Sequence, residues 1–193
     1  MLIGLVGKAG SGKDTVANYL VNNYRFNSIA YADPIKEKLC KMLHIPVWEY
    51  DNMKRSKWSS EKCQYLINGR DILVGVGMMM REHDEQQFVR YVDKLINEYI
   101  DTVVTDVRFD NEIEHINKRG GIVIKIVRDD LDKGSNSITE QLADRDFEYK
   151  INNNSSLEDL YDNIESLLLE LEEKNILTRF KIRKIEDETR LKQ

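Results

Sequence analysis

The residues Gly7-Lys8-Ala9-Gly10-Ser11-Gly12-Lys13-Asp14-Thr15 have the types and spacing for phosphate chemistry. Glycines let a backbone curl until successive N–H groups point at one anion. A helix starting near Lys13 would put partial positive charge behind them. The Lys13 ammonium could then reach the β- and γ-phosphates of a nucleoside triphosphate. In this P-loop pattern the residue after Gly-Lys is usually Ser or Thr, a ligand of Mg2+. Here Asp14 stands in that place, followed by Thr15. Asp is also a hard oxygen ligand, so Asp14 could hold Mg2+ directly or through water, and Thr15 could contact an α- or β-phosphate. The alternative is a glycine-rich turn with no ligand. The flanks argue against it: the apolar run Leu2-Ile3-Gly4-Leu5-Val6 precedes the loop, and Val16, Ala17, Leu20 and Val21 follow at helical spacing.

Ligands of open parallel sheets sit at the carboxyl ends of strands, so charged residues that directly follow apolar runs are the next candidates. They are Asp33, Asp106, Arg108 and Arg128. Asp106 could join the Mg2+ shell or accept a hydrogen bond from the phosphate loop; its alternative is a turn or helix-cap carboxylate. Arg108, at the lip of a buried strand, needs an anion, and a guanidinium fork matches phosphate. Arg81 closes a methionine-rich helical stretch and is either a second anion ligand or a surface arginine laid over the methionines. Arg128 precedes a polar loop and could meet charge developing on a transferring phosphoryl group. Such transfer is mostly positioning and charge neutralisation, so no nucleophile–base dyad is required.

The elements that must hold these residues can be read along the chain. Asn27 to Ala32 reads as a short strand. Asp33-Pro34 reads as the N-cap and first turn of a helix that ends near Ile45-Pro46. Residues 46–62, with Trp48 and Trp58, show no clear period and read as an irregular excursion that could close over a ligand. Helical spacing returns from Gly69 to Arg81 and from Gln86 to Tyr99. Asp101 to Val107 is a β-branched strand, Asn111 to Lys118 a helix stopped at Gly120-Gly121, and Ile122 to Val127 a strand. Residues 129–137 read as a mobile loop, Phe147 to Ile151 as the last strand, and Leu157 to Leu171 as an amphipathic helix. This alternation predicts an α/β fold of P-loop NTPase type: about five parallel strands, helices on both faces and a mobile lid loop at 129–140. The domain would span 1–175, with a helical excursion at 33–100 and a charged tail at 176–193.

Composition excludes several classes. The chain has 193 residues and a net charge of −5, which disfavours wholesale nucleic-acid binding. Cys40 and Cys63 have neither disulfide-frame nor zinc spacing, and His44, His83 and His115 are scattered. No apolar stretch reaches membrane-spanning length and no leader is evident, so a soluble, cytoplasmic protein is expected (in the host cytoplasm if viral). The acidic helix 157–174 and the basic tail could pair within one chain or between two copies, as in a homodimer; a solvated charged helix is the plainer expectation for the tail.

Four segments, in order, carry a resemblance: Gly7 to Thr15, Tyr31-Ala32-Asp33-Pro34-Ile35-Lys36, Thr105-Asp106-Val107-Arg108-Phe109-Asp110-Asn111-Glu112, and Ile151 to Leu160. The chain resembles the bacteriophage deoxynucleoside monophosphate kinases, within the P-loop nucleoside monophosphate kinase group. Its Gly-Lys-Asp-Thr ending is that family's form, and the Asp-Val-Arg-Phe piece is the most discriminating. Where the family often has a His-x-Ser-Glu segment, this chain has Ser137-Ile138-Thr139-Glu140. The resemblance implies transfer of the ATP γ-phosphoryl to a deoxynucleoside monophosphate with Mg2+. Lys13 and its loop would hold ATP, with Asn153 near the adenine. Asp33, Lys36, Arg81, Arg108 and Glu112 would line the monophosphate site, and Arg128 would act from the lid side. The alternatives are a P-loop kinase of another small phosphate acceptor, such as dephospho-coenzyme A, and a module that senses nucleotides without transferring phosphate.

Overall fold

A computed structural model describes residues 1–53, 69–131 and 142–176. Five strands, β1 (Leu2–Val6), β2 (Asn27–Ile29), β3 (Thr102–Val104), β4 (Ile122–Val127) and β5 (Tyr149–Asn152), make one sheet in the order β2-β3-β1-β4-β5. Every neighbouring pair is parallel. Parallel neighbours need crossover connections, and α1 (Lys13–Tyr24), α6 (Asp110–Lys118) and α7 (Leu157–Glu173) pack on the strands they connect or follow. β1 is central and buried at all five positions, as a strand covered on both faces requires.

Alternation along β1 sends Ile3 and Leu5 to one face. There they join Val16, Ala17 and Leu20 of α1 and Leu160, Ile164, Leu168 and Leu171 of α7 in the main core. Each buried Val, Leu or Ile side chain among them contributes about 1.5–3 kcal/mol. Gly4 faces the other way: a Cβ there would lie 2.3 Å from Ile116 Cδ1, so α6 packs directly on the strand. Helices thus cover both faces. The α1–α7 contact is keyed by polar groups as well. The Tyr19 and Tyr24 hydroxyls donate to the two carboxylate oxygens of Glu165, and the Tyr19 ring stacks on Tyr161. Burial and then the Glu165 hydrogen bond push both phenols far above their ordinary pKa. They therefore remain donors across the physiological range.

The chain divides into two compact units, Met1–Ala30 with Lys94–Gln193, and Tyr31–Asp93. The first carries the sheet. The second carries α2 (Asp33–Leu43), α3 (Val47–Met53), α4 (Gly69–His83) and most of α5 (Gln87–Leu95).

Several elements differ from the sequence expectation. Val47–Met53 is helical rather than irregular: Glu49 N and Tyr50 N both donate to Pro46 O, and Tyr50 is 1% exposed. A helix of only two turns is too short to leave a readable period. Ala32, not Asp33, is the N-cap of α2, because Ile35 N and Lys36 N donate to Ala32 O. Asp33 occupies the first turn, where its charge still favours the helix dipole. α5 stops at Leu95, where the expectation ran to Tyr99: Asn97 turns the chain, accepting from Tyr99 N at 2.9 Å, and Tyr99 is 87% exposed. The lid beyond Leu131 with Glu140, the excursion after Met53 with Trp58 and Cys63, and the tail after Ile176 lie outside the described residues.

Candidate active site

β1 leads straight into the glycine-rich loop. Ser11 N donates to Lys8 O at 3.1 Å, closing its turn, and Val16 N donates to Gly12 O at 3.0 Å, starting α1. Gly10 (φ 80°) and Gly12 (φ 101°) adopt left-handed conformations that side-chain-bearing residues resist. Gly12 is also hemmed in, because a Cβ there would lie 2.4 Å from Asn153 Nδ2. Lys13 Nζ donates to Gly7 O at 2.7 Å and Lys8 O at 2.8 Å, so the ammonium is held against its own loop. Lys8 pairs with Asp144 at 3.3 Å. Asp14 is exposed in the first turn of α1 and Thr15 is half-buried behind it. Ser11 is 1% exposed, and nothing among the described residues hydrogen-bonds its hydroxyl.

Asn153 braces this loop from the β5 exit. Its Nδ2 donates to Ser11 O at 2.8 Å and its backbone N to Val127 O at 2.8 Å. The resemblance had suggested only a neighbour of the adenine.

The β3 exit runs beside the β1 exit, since the two strands are adjacent in register. Past the last strand residue, Thr105 N still donates to Ile29 O at 3.0 Å and Val107 N to Leu5 O at 3.2 Å. Half-buried Asp106 is thus held between two pinned peptides. It does not cap α6, whose N-cap is Phe109. Next comes Arg108, also half-buried, and its backbone is fixed by a buried acid. Glu112, 1% exposed, accepts from Arg108 N at 2.7 Å and Phe109 N at 3.2 Å through one oxygen, Oε2. A carboxylate at a helix N-terminus that satisfies otherwise orphaned N–H groups is stabilised by both the bonds and the dipole. Glu112→Ala should therefore cost on the order of 2–3 kcal/mol. A thermal melt should show a drop of several degrees; an unchanged melting temperature would contradict that role.

At the β4 exit, Arg128 forks onto Asp130, Nε to Oδ1 at 2.8 Å and Nη2 to Oδ2 at 3.2 Å. That hydrogen bonding holds the Asp130 carboxyl below the usual carboxylate range. Both side chains are exposed.

The second unit holds Asp33, Lys36 and Arg81. Lys36 Nζ pairs with Asp51 Oδ2 at 2.7 Å, tying α2 to α3. The Arg81 guanidinium sits 4.8 Å from the centroid of the buried Phe88 ring, a cation–π contact. Asp33 is close enough to Tyr91 to help raise that phenol, after burial and Glu37.

Among the described residues no three His, Cys, Asp or Glu side chains gather as a metal cage. A Mg2+ ion bound with a nucleotide keeps several waters and uses one or two carboxylates plus phosphate oxygens. Asp14 and Asp106 supply hard oxygens of that kind, at the start of α1 and at the exit of the strand beside β1. Among the described residues no helix is long and apolar enough to cross a membrane.

A parallel α/β sheet with a left-handed glycine loop, a loop-bound lysine and a fixed arginine on the adjoining strand exit defines a P-loop phosphate-binding protein. The family model for deoxynucleotide monophosphate kinase matches residues 1–72 and 52–164, and the chain belongs to that family of kinases. It is 30% identical over 184 residues to a protein of Acanthamoeba polyphaga mimivirus named "Putative deoxynucleotide monophosphate kinase", covering 85% of this chain and 94% of that one. Among solved structures it is similar to a dephospho-CoA kinase from Campylobacter jejuni, at 17% identity and a TM-score of 0.44, covering 90% of this chain and 98% of that one. A sugar kinase from Janibacter sp. matches at 11% identity and a TM-score of 0.40, covering 86% and 93%.

Sequence reasoning missed the residues that hold others in place: Asp129, Asp130, Asp144 and Asn154. For three of them the available signal was the polar residues after the last two strands, Asp129-Asp130 and Asn153-Asn154, at ends that a parallel sheet brings side by side; Asp144 had none.

Proposed function

We propose that this kinase transfers the γ-phosphoryl group of ATP to a deoxynucleoside 5′-monophosphate, giving ADP and the deoxynucleoside diphosphate. The observation that carries the reading is a glycine loop with Lys13 after β1 and a pinned Arg108 loop after the adjacent β3, two elements whose chemistry suits anions. Two anions that repel in water need two such elements to meet.

In this reading the residues from Gly7 to Thr15 hold the ATP phosphates through backbone N–H groups. Lys13 leaves its loop carbonyls for the β- and γ-oxygens. Arg108 orients the acceptor phosphate, one oxygen of which attacks the γ-phosphorus while the bond to the β–γ bridging oxygen breaks. ADP leaves with that electron pair. Glu112 lines the monophosphate site and fixes the peptide from which Arg108 projects. Arg128 exchanges Asp130 for the transferring phosphoryl group and neutralises its growing charge. Asp33, Lys36 and Arg81 contact the monophosphate, Lys36 exchanging Asp51 for it. Asn153 serves the donor by bracing the loop and lies near the adenine. Mg2+, held by Asp14 and Asp106 directly or through water, would supply charge neutralisation at the phosphates.

Arg108→Ala tests the assignment. The acceptor KM should rise about 10–100-fold, the loss of a charge-assisted bidentate contact, with the ATP KM within about twofold of its original value. A rise confined to the ATP KM would assign Arg108 to the donor instead.

A further inference from the structure

β4 and β5 end level with one another, Val127 pairing with Asn152. Beyond that pair, both peptide groups flanking Arg128 are hydrogen-bonded to consecutive residues of the β5 exit. Val127 O, before Arg128, accepts from Asn153 N at 2.8 Å. Asp129 N, after Arg128, donates to Asn154 Oδ1 at 2.8 Å. Asn154 Nδ2 donates back to Asp129 Oδ2 at 2.7 Å, closing a ring. Meanwhile Asn153 Nδ2 reaches Ser11 O in the phosphate loop. One dipeptide, Asn153-Asn154, therefore grips the phosphate loop with one side chain and the backbone around Arg128 with the other.

We propose that Asn154 is a positioning residue for phosphoryl transfer. Through Asp129 it sets the direction in which Arg128 leaves β4, in register with the phosphate loop that Asn153 braces. This rests on the reading above that Arg128 serves the transferring phosphoryl group. The chemistry explains the residue type. Position 154 must accept from a backbone N–H and donate to a carboxylate at once, which an amide side chain does and a carboxylate does not. Asn154→Asp would keep the accepting oxygen, lose the donor and set two carboxylates side by side. The double exchange Asp129→Asn with Asn154→Asp swaps amide and carboxylate across the ring. The backbone N–H of position 129 still finds an oxygen, and the side-chain bond forms again with its direction reversed.

Four variants are measured by steady-state kinetics with ATP and a deoxynucleoside monophosphate: Asn154→Asp, the double exchange, Arg128→Ala, and Arg128→Ala combined with Asn154→Asp. Asn154→Asp should lower kcat about tenfold, the size of one lost hydrogen bond together with the repulsion between two adjacent carboxylates, with both KM values within about twofold. The double exchange should recover kcat to within about threefold of the original. In the Arg128→Ala background, Asn154→Asp should change kcat by less than about twofold, because the group it positions is gone. An unchanged kcat in Asn154→Asp, alongside a large loss in Arg128→Ala, overturns the positioning role and leaves Arg128's own role standing. Failure of the double exchange to recover, or a full tenfold loss in the Arg128→Ala background, overturns it equally. If Arg128→Ala itself keeps normal kcat, the reading of Arg128 fails and the positioning role falls with it.

Discussion

Lys13→Ala should lower kcat by about three orders of magnitude, with the fold intact and the melting temperature shifted by no more than a few degrees. Two of the side chain's hydrogen bonds go to Gly7 O and Lys8 O, carbonyls of its own loop, and the loop's shape is set by its glycines rather than by this side chain. In the proposed reaction the same ammonium would be a point charge beside oxygens whose negative charge shifts from the γ- to the β-phosphate, and wherever water is excluded such a charge is worth several-fold more than in bulk water. Alanine removes it without filling the space. Release of ADP in a coupled assay checks the rate, and circular dichroism checks the fold. A variant with near-normal kcat would remove Lys13 from the chemistry and with it the assignment of the loop.

The second large effect is expected from a single methyl group. Gly12→Ala places a Cβ 2.4 Å from Asn153 Nδ2, at a backbone φ of 101°. The left-handed conformation alone costs about 1–2 kcal/mol for a residue with a Cβ. Asn153 must also move, and its bond to Ser11 O at 2.8 Å breaks with the movement. The loop then loses its brace at the N-terminus of α1, where the phosphate N–H groups gather. ATP affinity measured by calorimetry should fall at least about tenfold, and the melting temperature should fall as well. Gly10→Ala is the internal comparison. Its φ is also positive, but its nearest neighbour is the mobile end of Leu131, Cδ2 at 3.3 Å, so its affinity loss should be the smaller. Equal losses in the two variants would contradict the bracing role of Asn153.

How much of this was legible in the sequence follows from the range of each interaction. The glycine loop was legible because its backbone shape dictates residue type locally: a left-handed φ asks for glycine, and the motif says where. The sheet was legible because β-branched runs separated by helical periods permit few topologies. α7 was legible as well, its apolar stripe repeating over seventeen residues. α3 was not, since a helix of seven residues is too short to leave a period to find. Arg108 could be picked out as a strand-end arginine, but the burial of Glu112 beneath it could not. Asn154 and Asp129 stand 25 residues apart with no local pattern linking them, and only the adjacency of β4 and β5 brings them together. The same holds for Glu165 with Tyr19 and Tyr24, whose separation spans most of the chain. Arg81 was an even choice between a ligand and a residue laid over methionines. The contact with Phe88 was not legible, because a helix C-terminus and the next helix had to meet before that ring was within reach.

The central claim is that two anion sites on neighbouring strand exits bring a nucleoside triphosphate and a deoxynucleoside monophosphate together for transfer. The direct measurement is a coupled assay of the purified protein with ATP and Mg2+ against a panel of deoxy- and ribonucleoside monophosphates, with dephospho-coenzyme A included and the products separated by chromatography. The account predicts ADP and a deoxynucleoside diphosphate in equal amounts from at least one deoxynucleoside monophosphate. Binding of ATP with no ADP formed from any acceptor, or turnover of dephospho-coenzyme A alone, would contradict it.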